Sequence, residues 1–302
     1  MTKTDVKTLQ ELIDYSSDLI EKQTLEEVFG ITEVLSQSRR EFWQKRIRDN
    51  PQEYLFLPQF TEISASQASH LGKFTGKFIV FKNLTFLPPL AAKELCLWKG
   101  MTLHLNSLTT LSVKTARALS GWNGISLMLN GLPSLTASVA KELAECNCQQ
   151  LYLNNINVLP RDSAQALFRR NKNHTNHFEI LLNSLPKLTM EIATAVVSWS
   201  GDYLAFKSVK EIAPLVAATI CQWPGKQLDL QNLQLIDESL LTTMMQSKIE
   251  SITIGRGIGS GPKFVLPSGS ELYINNINAL SEPVQSMLKP FWLHEYDDWL
   301  PN

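Results

Sequence analysis

Leu103-His-Leu-Asn-Ser-Leu-Thr-Thr-Leu-Ser112, Leu127-Met-Leu-Asn-Gly-Leu-Pro-Ser-Leu-Thr136 and Leu151-Tyr-Leu-Asn-Asn-Ile-Asn-Val-Leu-Pro160 are one phrase written three times, 24 residues apart. The phrase returns at Ile180, Leu204, Leu228 and Leu272, and more loosely at Leu55, Ile79 and Ile252. Starts at 55, 79, 103, 127, 151, 180, 204, 228, 252 and 272 step by 24 except for 29 at one point and 20 at the last. A period of this length marks a stacked repeat array, in which each unit buries its apolar face on its neighbours.

Within a unit, positions are counted from the first apolar residue. Positions 1 and 3 are apolar and alternate with variable residues, which predicts a short strand. Position 10 is Ser64, Ser112, Thr136, Thr189, Asp237 or Ser281 in six units, residue types whose side-chain oxygen caps a helix N-terminus. Positions 14 and 17 follow at helical spacing, as in Ala92/Leu95, Ala116/Leu119 and Ala140/Leu143, a stripe with a small residue where backbones approach closely. Position 20 is Phe74, Trp98, Trp122, Trp199, Trp223 or Phe291. Position 22 is Gly76, Gly100, Gly124, Gly201 or Gly225, where glycine is expected to stop the helix in a left-handed conformation. Each unit thus reads as strand, turn, short helix and stop. Like strands recurring in one direction pair in parallel, with the helix as crossover.

These residues carry a resemblance. The pattern L-x-L-N-x-L-x-x-L-S/T-x-x-x-A-x-x-L-x-x-W-x-G resembles leucine-rich repeat proteins, and is similar to a bacterial variant of planctomycete type. The resemblance implies an α/β solenoid, a horseshoe with a parallel sheet on its concave side and helices on its convex side. One departure is that Leu108, Leu132, Ile156 and Leu185 stand where the family has an Asn ladder. Asn106, Asn130, Asn154, Asn183 and Asn275 at position 4 are candidates to replace it.

Three segments are expected: a helical N-terminal cap over 1–53, about ten repeats over 54–290 with the ninth degenerate, and a C-terminal cap over 291–302. In the first, Val6, Leu9, Ile13, Ser16 and Ile20 follow helical spacing, and Thr24-Leu-Glu-Glu27 reads as a capping box. The cap is expected to cover the open edge of the first strand. Arg39-Arg-Glu-Phe-Trp-Gln-Lys-Arg-Ile-Arg48 is basic with aromatics. It is read as a solvated helix whose Phe42, Trp43 and Ile47 pack on the first repeat, in preference to a surface for RNA or anionic lipid.

The remaining motifs have bland readings. Arg169–Phe178 carries a five-residue insertion that lengthens a convex loop, and its His174 and His177 lack a third ligand nearby. Cys146 and Cys148 replace the Trp and Gly phases and are read as packing residues. Gly255-Arg-Gly-Ile-Gly-Ser-Gly-Pro262 lacks the G-K-S/T of a phosphate loop and is read as a repeat that lost its helix.

Of 302 residues, 44% are hydrophobic and 19% charged, and the formal net charge is -1. That balance lacks the basic excess of a nucleic-acid binder, so none is expected as partner. No stretch reads as an export signal or membrane span, and four cysteines form no disulfide framework, so a soluble chain of a reducing, cytoplasmic compartment is expected. No nucleophile elbow, metalloprotease helix or cofactor motif is present, and no enzyme and no cofactor is expected.

The expected function is a non-catalytic scaffold holding a protein partner on the concave face, with a secreted effector acting through the same repeats as the alternative. The candidate partner-binding residues are Phe56, Val80, His104, Met128, Tyr152, Leu181, Tyr203 and Asp229. All but Tyr203 fall at position 2, and Tyr203 precedes its strand. The face is apolar toward its N-terminal and central part, which is the character of an interaction surface. A competing expectation is that the N-terminal helices bury Phe56, Phe78 and Val80 themselves.

Overall fold

The computed structural model describes residues 9–22, 37–169, 178–254, 262–274 and 280–292. The chain divides into two compact units, Met1–Pro133 with Glu145–Leu153, and Ser134–Ala144 with Asn154–Asn302.

The first unit opens with helices α1 (Leu9–Lys22) and α2 (Gln37–Asp49) and a 3-10 turn over Pro51–Glu53. Strands β1 (Tyr54–Phe56), β2 (Phe78–Val80), β3 (Thr102–His104), β4 (Ser126–Met128) and β5 (Gln150–Tyr152) follow, with α3 (Ala65–Leu71), α4 (Pro89–Leu95) and α5 (Val113–Ser120) between the first four. The strands pair in parallel and in chain order, so that Leu55, Ile79, Leu103, Leu127 and Leu151 stand directly opposite one another. The 24-residue period is therefore the register of the sheet.

The second unit holds α6 (Ala137–Ala144), α7 (Arg161–Leu167), β6 (Glu179–Leu181), α8 (Met190–Val197), β7 (Tyr203–Ala205), α9 (Pro214–Ile220), β8 (Gln227–Leu230), α10 (Glu238–Met245), β9 (Ser251–Ile254), β10 (Lys263–Val265), β11 (Glu271–Ile274) and α11 (Glu282–Leu288). Here β6, β7, β8, β9 and β11 run parallel in that spatial order. β10 differs from the all-parallel expectation. It turns back over Leu266–Ser270 and pairs antiparallel with β11, replacing the helix that the ninth repeat lacks. The glycine-rich stretch before it, from 255 to 261, lies outside the described residues, as does the capping box at 24–27.

The first eight repeats fold as the pattern predicts. Positions 1 and 3 are buried in every repeat and positions 14 and 17 in the first eight, among them Leu127, Leu129, Ala140 and Leu143. Side chains of Ser64, Ser112, Thr189 and Asp237 accept a backbone N–H three residues on, as does Thr136 from Val139 at 3.3 Å. Ser281 makes no such bond.

The glycines at position 22 correct the left-handed expectation. Among the described glycines only Gly269 has positive φ, at 85°. The helices end in right-handed conformations, as at Gly72 and Gly121. Glycine is needed at position 22 for space: a Cβ on Gly124 would lie 2.0 Å from the Trp122 ring, and one on Gly100 1.8 Å from that of Trp98. The indoles lie flat over these glycines and stack from repeat to repeat, Trp98 on Trp122 with centroids 5.8 Å apart and Trp199 on Trp223 at 5.5 Å. Each later indole donates its Nε1–H to the carbonyl of the earlier one, at 3.2 Å in the first pair and 2.9 Å in the second.

Position 4 supplies part of what the missing Asn ladder would. Asn106 Oδ1 accepts from the Asn130 N–H at 3.2 Å, and Asn154 Oδ1 from the Asn183 N–H at 3.4 Å, each one repeat on. Position 5 adds a second row: Asn83 Nδ2 donates to the Pro58 carbonyl at 2.7 Å and Asn232 Nδ2 to that of Lys207 at 2.6 Å. Asn275 lies outside the described residues.

At the open edge of β1, α1 takes the place of a neighbouring strand. Ser16 Oγ accepts the Phe56 N–H at 2.6 Å and donates to the Tyr54 carbonyl at 3.3 Å, with all three residues buried. In α2, Ile47 is buried as expected, but Phe42 is 58% exposed. Five residues of helix separate them, about 140° around the axis, so the two cannot share a buried face. The Trp43 side chain lies outside the described residues.

Candidate functional site

Positions 1 and 3 of every strand point into the core, so positions 0 and 2 share the opposite face. In unit 1 the pairing aligns Phe56, Val80, His104, Met128 and Tyr152 in one row and Tyr54, Phe78, Thr102, Ser126 and Gln150 in another. None of these ten side chains is an acid, a lysine or an arginine.

The row is not evenly open. Phe56, Val80 and His104 are buried, while Met128 and Tyr152 are part-exposed. Phe78 lies against Tyr54 with ring centroids 4.6 Å apart and an interplanar angle of 5°. Lys82 Nζ sits 5.9 Å from the Phe56 ring centroid. Gln150 fixes the far end, its Oε1 accepting from Ser126 Oγ at 2.6 Å and from the Tyr152 hydroxyl at 3.3 Å. Tyr152 is thereby presented with its hydroxyl tethered and its ring part-exposed, which lowers the entropy lost on contact.

In unit 2 the rows are Leu181, Ala205, Asp229, Thr253, Tyr273 and Glu179, Tyr203, Gln227, Ser251, Glu271. Leu181 and Asp229 are buried, and Tyr203 is part-exposed. The Tyr203 hydroxyl donates to Asp229 Oδ2 at 3.0 Å, so two of the predicted residues meet across neighbouring strands. At the end of this face lies a trio that sequence reasoning missed. Lys263 Nζ is 2.6 Å from Glu271 Oε1, and the Tyr273 hydroxyl donates to Glu271 Oε2 at 2.7 Å. The lysine's hydrogen bond, followed by that of the tyrosine, holds the Glu271 carboxyl below its ordinary range. Burial, and then the same bond to Glu271, raises the Tyr273 phenol. The signal for β10 was present as a Pro267-Ser-Gly269 turn between two alternating runs.

Among the described residues no three His, Cys, Asp or Glu side chains come together to hold a metal. Cys146 and Cys148 are buried, and the Cys148 N–H donates to Cys146 Sγ at 3.4 Å. Burial pushes the Cys96 thiol up to about 12 and the Cys221 thiol to about 11, so both stay protonated and poorly nucleophilic at neutral pH. His174 and His177 lie outside the described residues. A cavity of about 770 Å³ in unit 2 is lined by Lys226, Ser247, Lys248, Glu250, Ser270 and Glu271 among others. It lies where position 20 changes from the Trp223 indole to Ser247. Its charges are mixed, and Lys226 is already paired with Asp202 at 3.1 Å.

Fold and face together define a leucine-rich-repeat-like α/β repeat protein. No family model matches the chain, and no curated protein matches it. Among solved structures it is similar to a chain of the Drosophila Toll–Spätzle complex, a hub in development and innate immunity, at 12% identity and a TM-score of 0.46. That likeness covers 69% of this chain and 27% of the other, so this chain spans about a quarter of its length. Among the described residues no helix is long and apolar enough to cross a membrane.

Proposed function

We propose that the chain is a non-catalytic scaffold that holds a protein partner on the outward sheet face, with Met128 and Tyr152 as the contact centre in unit 1 and Tyr203 in unit 2. The observation that carries this reading is the uncharged double row on β1–β5, held in register by the backbone, with a tethered tyrosine at its accessible end. A rigid, part-exposed aromatic beside a methionine suits the anchor of a protein interface, since Tyr and Met are enriched there and charges depleted. Phe56, Val80, His104, Leu181 and Asp229 serve this face as its buried floor.

The test is affinity capture of partners by the wild type and by Tyr152→Ala, followed by titration of any partner lost. Capture should weaken by about 2 kcal/mol or more, roughly 30-fold, with folding unchanged. A folded variant that retains every partner at wild-type affinity removes the face from consideration.

A further inference from the structure

We propose that Cys146 and Cys148 are a dithiol that closes reversibly to a disulfide when hydrogen peroxide reaches it, which makes the corner before β5 an oxidation site. The fourth repeat carries Cys146-Asn147-Cys148 where the third carries Trp122-Asn123-Gly124. In the third, the position 20 side chain lies over position 22, so that a Cβ on Gly124 would stand 2.0 Å from the Trp122 ring. The fourth repeat has a shorter side chain at position 20 and a second sulfur at position 22.

Hydrogen bonds hold the two cysteines together there. The Asn147 N–H donates to the Ser120 carbonyl at 2.9 Å, and the Cys148 N–H donates back to Cys146 Sγ at 3.4 Å. The eighth repeat makes the same turn with oxygen in place of sulfur. Its Lys248 N–H donates to the Cys221 carbonyl at 2.8 Å, and its Ile249 N–H to Ser247 Oγ at 3.1 Å. A small acceptor at position 20 thus folds back onto the backbone of position 22. Cα atoms two residues apart are separated by at most about 7 Å, the outer limit for a disulfide, and folding back shortens that distance. Rotation about the two Cα–Cβ bonds is then the main movement that closure requires.

Both side chains are fully buried, which selects the oxidant. A bulky or charged disulfide does not enter such a corner, whereas hydrogen peroxide is small and uncharged. One thiol attacks the peroxide: the O–O bond breaks, the sulfur becomes a sulfenic acid, and water leaves with the thiol proton. The second thiol attacks that sulfur, the S–S bond forms, and the hydroxyl leaves with the second proton as another water. Two electrons pass from the sulfurs to the peroxide, and an added dithiol returns them by exchange. Cys96 and Cys221 have no such neighbour, since Glu94 and Trp98 stand two residues from the first and Thr219 and Trp223 from the second. The inference is independent of what the sheet face binds, because no partner enters its test.

The experiment exposes the intact wild type to hydrogen peroxide, removes it, alkylates the remaining thiols in urea and maps the tryptic peptides by mass spectrometry. Cys146 and Cys148 share the peptide 142–161, and Cys96 and Cys221 fall in two others. The 142–161 peptide should carry neither alkyl group, be lighter than the reduced peptide by two hydrogen atoms, and regain both alkyl groups after dithiothreitol. Cys96 and Cys221 should remain alkylated throughout. A 142–161 peptide still alkylated at both cysteines, a link to Cys96, sulfinic acid in place of the disulfide, or oxidation of all four cysteines together overturns the proposal. Cys96→Ser should preserve the change and Cys148→Ser abolish it. Should Cys148→Ser fail to fold, the wild-type map alone decides.

Discussion

A single carbon atom, Cβ, separates the glycine at position 22 from alanine, and the repeat is built around its absence. The Trp122 indole occupies the space of the missing Cβ on Gly124, and it is fully buried in a stack with Trp98. Gly124→Ala forces the ring to move and should cost about 1–3 kcal/mol, the usual range for overpacking. Trp122→Ala removes the ring and should cost about 3–5 kcal/mol. In the Trp122→Ala background, adding Gly124→Ala should cost close to nothing, because the atom it would strike is gone. Urea unfolding of the two single mutants and the double mutant measures this coupling. Additive losses would mean that backbone conformation, and not the ring, selects glycine. Ser16→Ala has a different origin: it strips the buried Phe56 N–H of its acceptor and should cost about 1–3 kcal/mol by the same measurement.

Elements show which parts of the sequence were legible and why. Strand, helix and register follow from short-range patterns, since positions 1 and 3 are apolar in every unit and positions 14 and 17 in the first eight. The cap residues were legible for the same reason. Asp237→Ala should cost about 0.5–2 kcal/mol, because its side chain accepts the Leu240 N–H at 2.7 Å. Ser281→Ala should be near neutral, because Ser281 makes no side-chain cap bond. Thermal unfolding of the pair separates the two kinds of N-cap. What the pattern misplaced depends on distance or angle. The Gly124 requirement is set by a ring two residues away, Phe42 is turned from the core by helix geometry, and β10 is followed by a turn in a repeat that had lost the pattern. The candidate binding residues were legible as one row, but their burial was not. Whether Phe56 or Tyr152 is open depends on which neighbours and which helix close over it.

At the scale of the molecule, the two units carry different outward faces on the same repeat. The unit 1 face has no charged side chain among its ten outward positions, whereas that of unit 2 carries Glu179, Asp229 and Glu271. Each unit also has its own buried core, with Leu103, Leu127 and Leu129 in the first and Leu204, Phe206 and Leu228 in the second. Repeats draw their stability from their immediate neighbours, so damage to one core is expected to remain local before it becomes general. Leu129→Ala deletes a fully buried side chain at position 3 of β4's repeat and should cost about 2–5 kcal/mol. That loss should surface as faster amide hydrogen exchange in β2–β5, with β7–β9 retaining wild-type protection at neutral pH and low denaturant. Leu204→Ala should give the converse pattern. Hydrogen exchange read by mass spectrometry at peptide resolution distinguishes these outcomes. If either substitution accelerated exchange equally in both sets of strands, the chain would unfold as one cooperative body, and the nearest-neighbour account of its stability would have to be abandoned.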